Sequence, residues 1–247
     1  MPEPEQKIVL LAGATGLIGT QALNTLLEAN DVARVFAATR RPLGREHPRL
    51  ANRIVQFDKI ESQLKGLTCH VAVCCLGTTR RQAGSPEEFR RVDFDYVIAF
   101  ARVAKEAQAK RFIVVSSVGA DAQSDNFYLR TKGEMENAVA AVGFTSTEIL
   151  QPGLLMGLRS QMRPLELGAM AVMPLVNPFL RGPREAFRSI SVKTVGAAIV
   201  GATRVARIGV TRYTYSGIQA LTRLKSVRTI PPDARTGANN RQRGASG

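Results

Sequence analysis

Tyr128-Leu-Arg-Thr-Lys132 sets a phenol and an ammonium four residues apart, and on a helix such a pair shares one face. A phenol ordinarily gives up its proton near pH 10, too high for a base at neutral pH. A neighbouring ammonium, joined by the positive ring of an oxidised nicotinamide, favours the phenolate. The pair can then pass a proton to or from a substrate oxygen while hydride moves to or from the cofactor. YxxxK by itself reads better as a surface pair. Its position argues otherwise, because it lies one loop beyond Ser116-Ser117, which end an apolar run. A hydroxyl there can hydrogen-bond the reacting oxygen, and Ser117 is preferred to Ser116.

Such chemistry needs a nucleotide, and a loop near the start of the chain is suited to hold one. Gly13-Ala14-Thr15-Gly16-Leu17-Ile18-Gly19 follows an apolar run and opens a segment with helical spacing. Glycines allow the tight turn and let the backbone approach a pyrophosphate, and the helix N-terminus offers free N–H groups to the anion. The spacing is GxxGxxG, not GxGxxG, and only the strand-loop-helix setting separates it from a ligand-free turn. After the next strand stand Thr39, Arg40 and Arg41, where NAD-preferring proteins carry an acid about 20 residues past the loop. Two arginines and no acid suit the 2′-phosphate of NADP(H), with NAD(H) the alternative. The competing reading is a pair of solvated arginines. Asp58 follows the third strand, where a carboxylate can accept from an adenine amino group. Gly77 and Thr78 follow the fourth, which ends at Leu76, and there the chain must pass close to a nucleotide.

The elements that position these groups alternate. Strands are expected at Lys7 to Ala12, Val32 to Ala38, Arg53 to Phe57, His70 to Leu76, Arg111 to Ser116 and Thr145 to Leu150. Helices are expected at Leu17 to Ala29, Pro86 to Ala109 with a break near Val92-Asp93, and Asn126 to Val142. Near-continuous apolar strands alternating with helices imply a parallel sheet covered on both faces. That is an α/β, Rossmann-type doubly wound architecture. Beyond Pro152 the pattern changes to Met, Leu, Pro and Gly, followed by a helix at Val192 to Val205, a short strand at Arg212 to Tyr215 and a helix at Ile218 to Leu224. Residues 1–225 read as a single domain, with substrate-side segments near 153–190 and 208–225.

Composition narrows the class. At 247 residues, 45% hydrophobic and 22% charged, the chain can bury a core without staples. Cys69, Cys74, Cys75, His47 and His70 suggest neither a disulfide framework nor a metal site. The net charge of +14 is uneven: from Arg181 onward 13 Lys/Arg face only Glu185 and Asp233. Residues 226–247, rich in Pro, Gly, Asn and Arg, read as a disordered basic tail. Such a tail permits peripheral contact with an anionic membrane, and no specific nucleic-acid partner is expected. The acidic start, Met1-Pro-Glu-Pro-Glu5, is no signal peptide, and no apolar stretch approaches the ~20 residues of a membrane span. A cytoplasmic monomer or homodimer acting on a small-molecule substrate is the expectation.

The pieces GATGLIG, TRRP, CCLGTTR, RRVDFDYV, RFIVVSSVGAD, NFYLRTKGEME and LQPGLLMG, over residues 7 to 220, resemble the short-chain dehydrogenase/reductase superfamily. The likeness is to its atypical and extended members, in the branch of NAD(P)-binding relatives that includes the Tat-interacting tumour-suppressor protein. The resemblance implies Tyr128 as catalytic acid/base, Lys132 as its partner and a ribose contact, and Ser117 as substrate orienter. It also implies that Pro152-Gly153 runs past the nicotinamide. This chain departs from the pattern with Gln151 where relatives often carry Arg, and with Asp93 where classical members carry Asn. Epimerase- or dehydratase-like chemistry, or a cofactor-sensing regulator with little turnover, stands beside the oxidoreductase reading.

Overall fold

The computed structural model describes residues 6–156, 180, 182–205 and 207–224. Six parallel strands form most of its sheet: β1 (Lys7–Ala12), β2 (Val32–Thr39), β3 (Leu50–Ile54), β4 (Val71–Cys74), β5 (Arg111–Val115) and β6 (Ser146–Leu150). A two-residue pair, β7 (Leu155–Met156) with β8 (Ile190–Ser191), lies apart. The seventh strand of the large sheet is β9 (Gly209–Tyr213), giving the order β3-β2-β1-β4-β5-β6-β9. The strand order reverses between β1 and β4, and open parallel sheets bind ligands at such a switch point.

The helices are α1 (Leu17–Glu28), α2 (Ile60–Gln63), α3 (Arg80–Ala83), α4 (Pro86–Arg90), α5 (Tyr96–Glu106), α6 (Phe127–Ala141), α7 (Val192–Ala202) and α8 (Tyr215–Leu221). One apolar layer joins α1, α7 and α8 to the sheet through Leu23, Leu26, Val195, Ile199 and Ile218. The other joins α2, α5 and α6 through Ile60, Phe100, Phe112, Met135 and Val139. Alternating strand residues feed the two layers, with Leu10 and Ala12 in one and Val9 and Leu11 in the other. That alternation is why these strands are apolar throughout.

Three expectations need adjustment. The third strand runs over Leu50–Ile54 rather than Arg53 to Phe57, because it pairs from Val35↔Leu50 and Phe57 already begins a 3-10 turn. Being an edge strand, it is half exposed and lacks the apolar run that marked the others. The last strand begins earlier, at Gly209, and the last helix earlier, at Tyr215. The break expected near Val92-Asp93 is a π-turn over Arg91–Asp95 between α4 and α5. The proposed basic tail, 226–247, and Met162, Met170, Met173 and Leu175 of the expected substrate segment lie outside the described residues.

Candidate active site

Close approach explains the glycine loop. Gly13 has φ +81°, and a Cβ there would lie 2.4 Å from the carbonyl carbon and oxygen of Cys75, beyond β4. A Cβ on Gly19 would lie 1.9 Å from the Gly13 oxygen, so α1 can rest on its own loop only with glycine. The Gly16 N–H closes the turn on the Gly13 carbonyl at 3.0 Å. Gly16 is the N-cap of α1, with no side chain capping it and no acid in the first turn. The leading amides of α1, beside exposed Thr15 and half-buried Leu17 and Ile18, remain available to an anion.

The arginine loop starts one strand over, where Ala12 pairs with Ala38. Arg40 and Arg41 are exposed, and neither guanidinium has a hydrogen-bond or ion-pair partner among the described residues. The neighbouring arginines are occupied. Arg34 and Arg53 sit over the Phe36 ring, Arg45 donates to Asn24 Oδ1 at 2.6 Å, and Arg49 donates to the carbonyls of Leu27, Ala29 and Val32. Thr39 differs from the expectation of a hydroxyl offered to the cofactor. It is buried, donates to the Arg41 carbonyl at 2.8 Å and accepts from Asn52 Nδ2 at 2.7 Å. Asp58, expected to await an adenine amino group, instead accepts from Arg91 Nη2 at 2.8 Å and Tyr96 Oη at 3.0 Å. Those bonds, Arg91 first, hold its carboxyl below the usual carboxylate range.

The third group sits where α6 packs against the π-turn Arg91–Asp95, which in turn binds the loop after β4. Asn126 caps the helix, its Oδ1 accepting from the N–H groups of Tyr128 (2.9 Å) and Leu129 (3.3 Å). Tyr128 is half-buried, its ring 5.6 Å from that of fully buried Phe89 on α4. One turn on, Lys132 is 5% exposed, and its ammonium lies 2.7 Å from Asp93 Oδ1. Asp93 is 1% exposed, and its other oxygen accepts from the Thr78 N–H at 2.7 Å. Gly77 lies over the pair: a Cβ on it would be 3.4 Å from Asp93 Oδ1 and 3.8 Å from Lys132 Nζ. Burial opposes the charge on Lys132, but the Asp93 carboxylate and then Tyr128 outweigh it and hold the ammonium above its ordinary value.

The two serines separate cleanly. Ser116 is buried, and its Oγ has no protein partner. Ser117 is half-buried, with only a 3.4 Å contact to the Val118 carbonyl. The Val118 N–H donates to the Pro152 carbonyl at 3.0 Å, which brings the Pro152-Gly153 segment beside Ser117. Gln151 does not face this corner; it donates to Glu136 Oε1 at 2.8 Å, and Arg212 of β9 binds the other oxygen at 2.7 Å. Sequence reasoning missed Gly133, where a Cβ would strike the Ala122 nitrogen at 2.2 Å. The loop from Ser117 to Tyr128 therefore lies flat on α6. The only signal was a small residue directly after Lys132. Asn52 left no signal, because its partners are 13 and 9 residues away.

The family model described as NAD(P)H-binding matches residues 13–164. The chain belongs to the NAD(P)H-binding family. Rat HTATIP2 is 38% identical over 166 residues, covering 66% of this chain and 68% of the relative. The protein named FMP52, mitochondrial, from Lodderomyces elongisporus is 38% identical over 165 residues, covering 62% and 68%. Among solved structures, human epimerase family protein SDR39U1 with NADPH superposes with a TM-score of 0.57 at 20% identity, over 84% of this chain and 74% of that one. MoeE5 in complex with UDP-glucose and NAD gives 0.61 at 18%, over 88% and 83%. These two likenesses show the Rossmann-type α/β fold of this NAD(P)H-binding protein. The expectation of a cytoplasmic protein is overturned: several matched relatives, from Lodderomyces, Emericella and Debaryomyces, are named as mitochondrial. A missing secretory signal says nothing about that compartment.

Proposed function

We propose that this family member is an NADP(H)-dependent oxidoreductase in which Tyr128 exchanges a proton with the substrate oxygen. When bound, the nicotinamide supplies or accepts the hydride. The open N-terminus of α1 binds the diphosphate, while Arg40 and Arg41 bind the 2′-phosphate. Lys132 holds positive charge beside Tyr128, and Ser117 orients the reacting oxygen. The observation that carries this reading is Lys132: a buried ammonium on the same face of α6 as Tyr128, fixed against the Gly77-Thr78 loop at the switch-point side of the sheet. The test is NADPH consumption with a panel of small carbonyl compounds. Tyr128→Phe is expected to abolish turnover while leaving NADPH affinity within about twofold. Undiminished turnover in that variant defeats the assignment.

One observation favours a second reading, an NADPH-responsive binding protein with little turnover. Asp93 places a carboxylate 2.7 Å from Lys132, so less of the ammonium's field reaches Tyr128. Tight NADPH binding with no consumption across the panel, in wild type and Asp93→Asn alike, would select it.

A further inference from the structure

We propose that Asn52, on edge strand β3, is a specificity-determining positioning residue that sets the arginine loop in a form ready for a phosphorylated ribose. The inference rests on the NADP(H) reading and adds to it a residue that touches no cofactor.

The loop after β2 has few internal means of holding its shape. It leaves the sheet at Thr39 and must return to β3 at Leu50, and between them Gly44 has φ +62°. Two exposed, like-charged arginines stand at its crest. Arg45 and Arg49 tie its second half to α1 and the start of β2, and one amide ties down its first half. Asn52 Nδ2 donates to Thr39 Oγ1 at 2.7 Å and to the Ala37 carbonyl at 3.0 Å, while its Oδ1 accepts from the Leu43 N–H at 3.0 Å. Thr39 passes the constraint on, donating to the Arg41 carbonyl at 2.8 Å. The Leu43 side chain packs on the apolar layer beneath α1.

Both feet of the arch are therefore fixed, at Thr39 and at Leu43. The three residues between them, Arg40, Arg41 and Pro42, are exposed, and proline restricts its own φ. Every other arginine around the loop is already engaged, so Arg40 and Arg41 alone are presented unpaired. Presetting the backbone removes part of the ordering cost of gripping an anion. The gain applies only to a ligand that reaches the arginines. A nucleotide lacking the 2′-phosphate uses the α1 amides, which Asn52 does not touch.

The test is fluorescence titration of the full-length protein with NADPH and NADH, for wild type, Asn52→Ala, Thr39→Val and the double variant. Asn52→Ala is expected to weaken NADPH about tenfold, the scale of one or two lost hydrogen bonds. NADH should change by less than twofold. Thr39→Val removes the same bond from the other strand and remains informative if Asn52→Ala does not fold. The double variant should lose less than the sum of the two singles, because the singles share the Asn52–Thr39 bond. Equal losses for both nucleotides would reduce Asn52 to a general support of the sheet edge and overturn the inference, as would an unchanged NADPH-to-NADH ratio. A wild-type protein with no NADPH preference, equally indifferent in Arg40→Ala, would sink the cofactor reading itself.

Discussion

The two halves of the site handle charge in opposite ways. On the β1-α1-β2 side the donors are left open: α1 has no side-chain cap, and Arg40 and Arg41 are unpaired and exposed. On the β4-β5-α6 side the charge is already matched inside the protein, with Lys132 and Asp93 both nearly fully buried and 2.7 Å apart. An unpaired cation tolerates water and waits for a phosphate to displace it. A buried cation cannot wait, because desolvation would remove its charge unless a carboxylate accompanied it. The open half is suited to capturing a ligand and the closed half to keeping one proton-transfer geometry fixed.

The sharpest break in that comparison is at the open half's hinge. Gly13→Val combines a disfavoured φ with overlap on the Cys75 backbone. NADPH affinity should fall by two orders of magnitude or more in a calorimetric titration. A variant that still binds normally would show that the turn is not the phosphate site.

Next comes the closed half. Asp93→Ala leaves the Lys132 ammonium buried and alone, and urea unfolding should show a loss of about 3–5 kcal/mol. Adding Lys132→Met should recover much of it, since the stranded charge is gone. If the double variant is as unstable as the single, the pair is not the source of the loss.

Smaller is Arg40→Ala, which should weaken NADPH by about tenfold to a hundredfold, as loss of a charge-assisted hydrogen bond does. NADH should be nearly unaffected, and equal losses would mean that the guanidinium does not see the 2′-phosphate.

The smallest effect concerns a saturated carboxylate on the open side, at the far end of the strands. Asp31 is 2% exposed and binds Lys7 at 2.8 Å and Arg204 at 2.9 and 2.7 Å. Burial opposes its ionisation, but Arg204 and Lys7 outweigh that and hold the carboxyl well below the usual carboxylate range. Its contribution is therefore complete above the unfolded value near pH 3.9 and is lost as pH falls toward the lower folded value. Asp31→Asn should cost more at pH 6 than at pH 2 in thermal unfolding. A constant penalty would mean that the clip does not titrate as the geometry requires.

Local pattern determined a good deal of this protein. Apolar runs of four to eight residues marked the central strands because strands buried on both faces need no alternation. The glycine spacing marked the nucleotide turn, and Tyr128 with Lys132 marked a helix face, because both are short-range regularities. The tertiary structure decided what each side chain is free to do. Thr39 and Asp58 looked like ligands and are held by Asn52, Arg91 and Tyr96. Asp93 looked like a departure from the family pattern and is the partner of Lys132, 39 residues away in the chain. Whether a polar group is spent or available depends on neighbours brought close by folding, and such pairings leave no periodicity in the sequence.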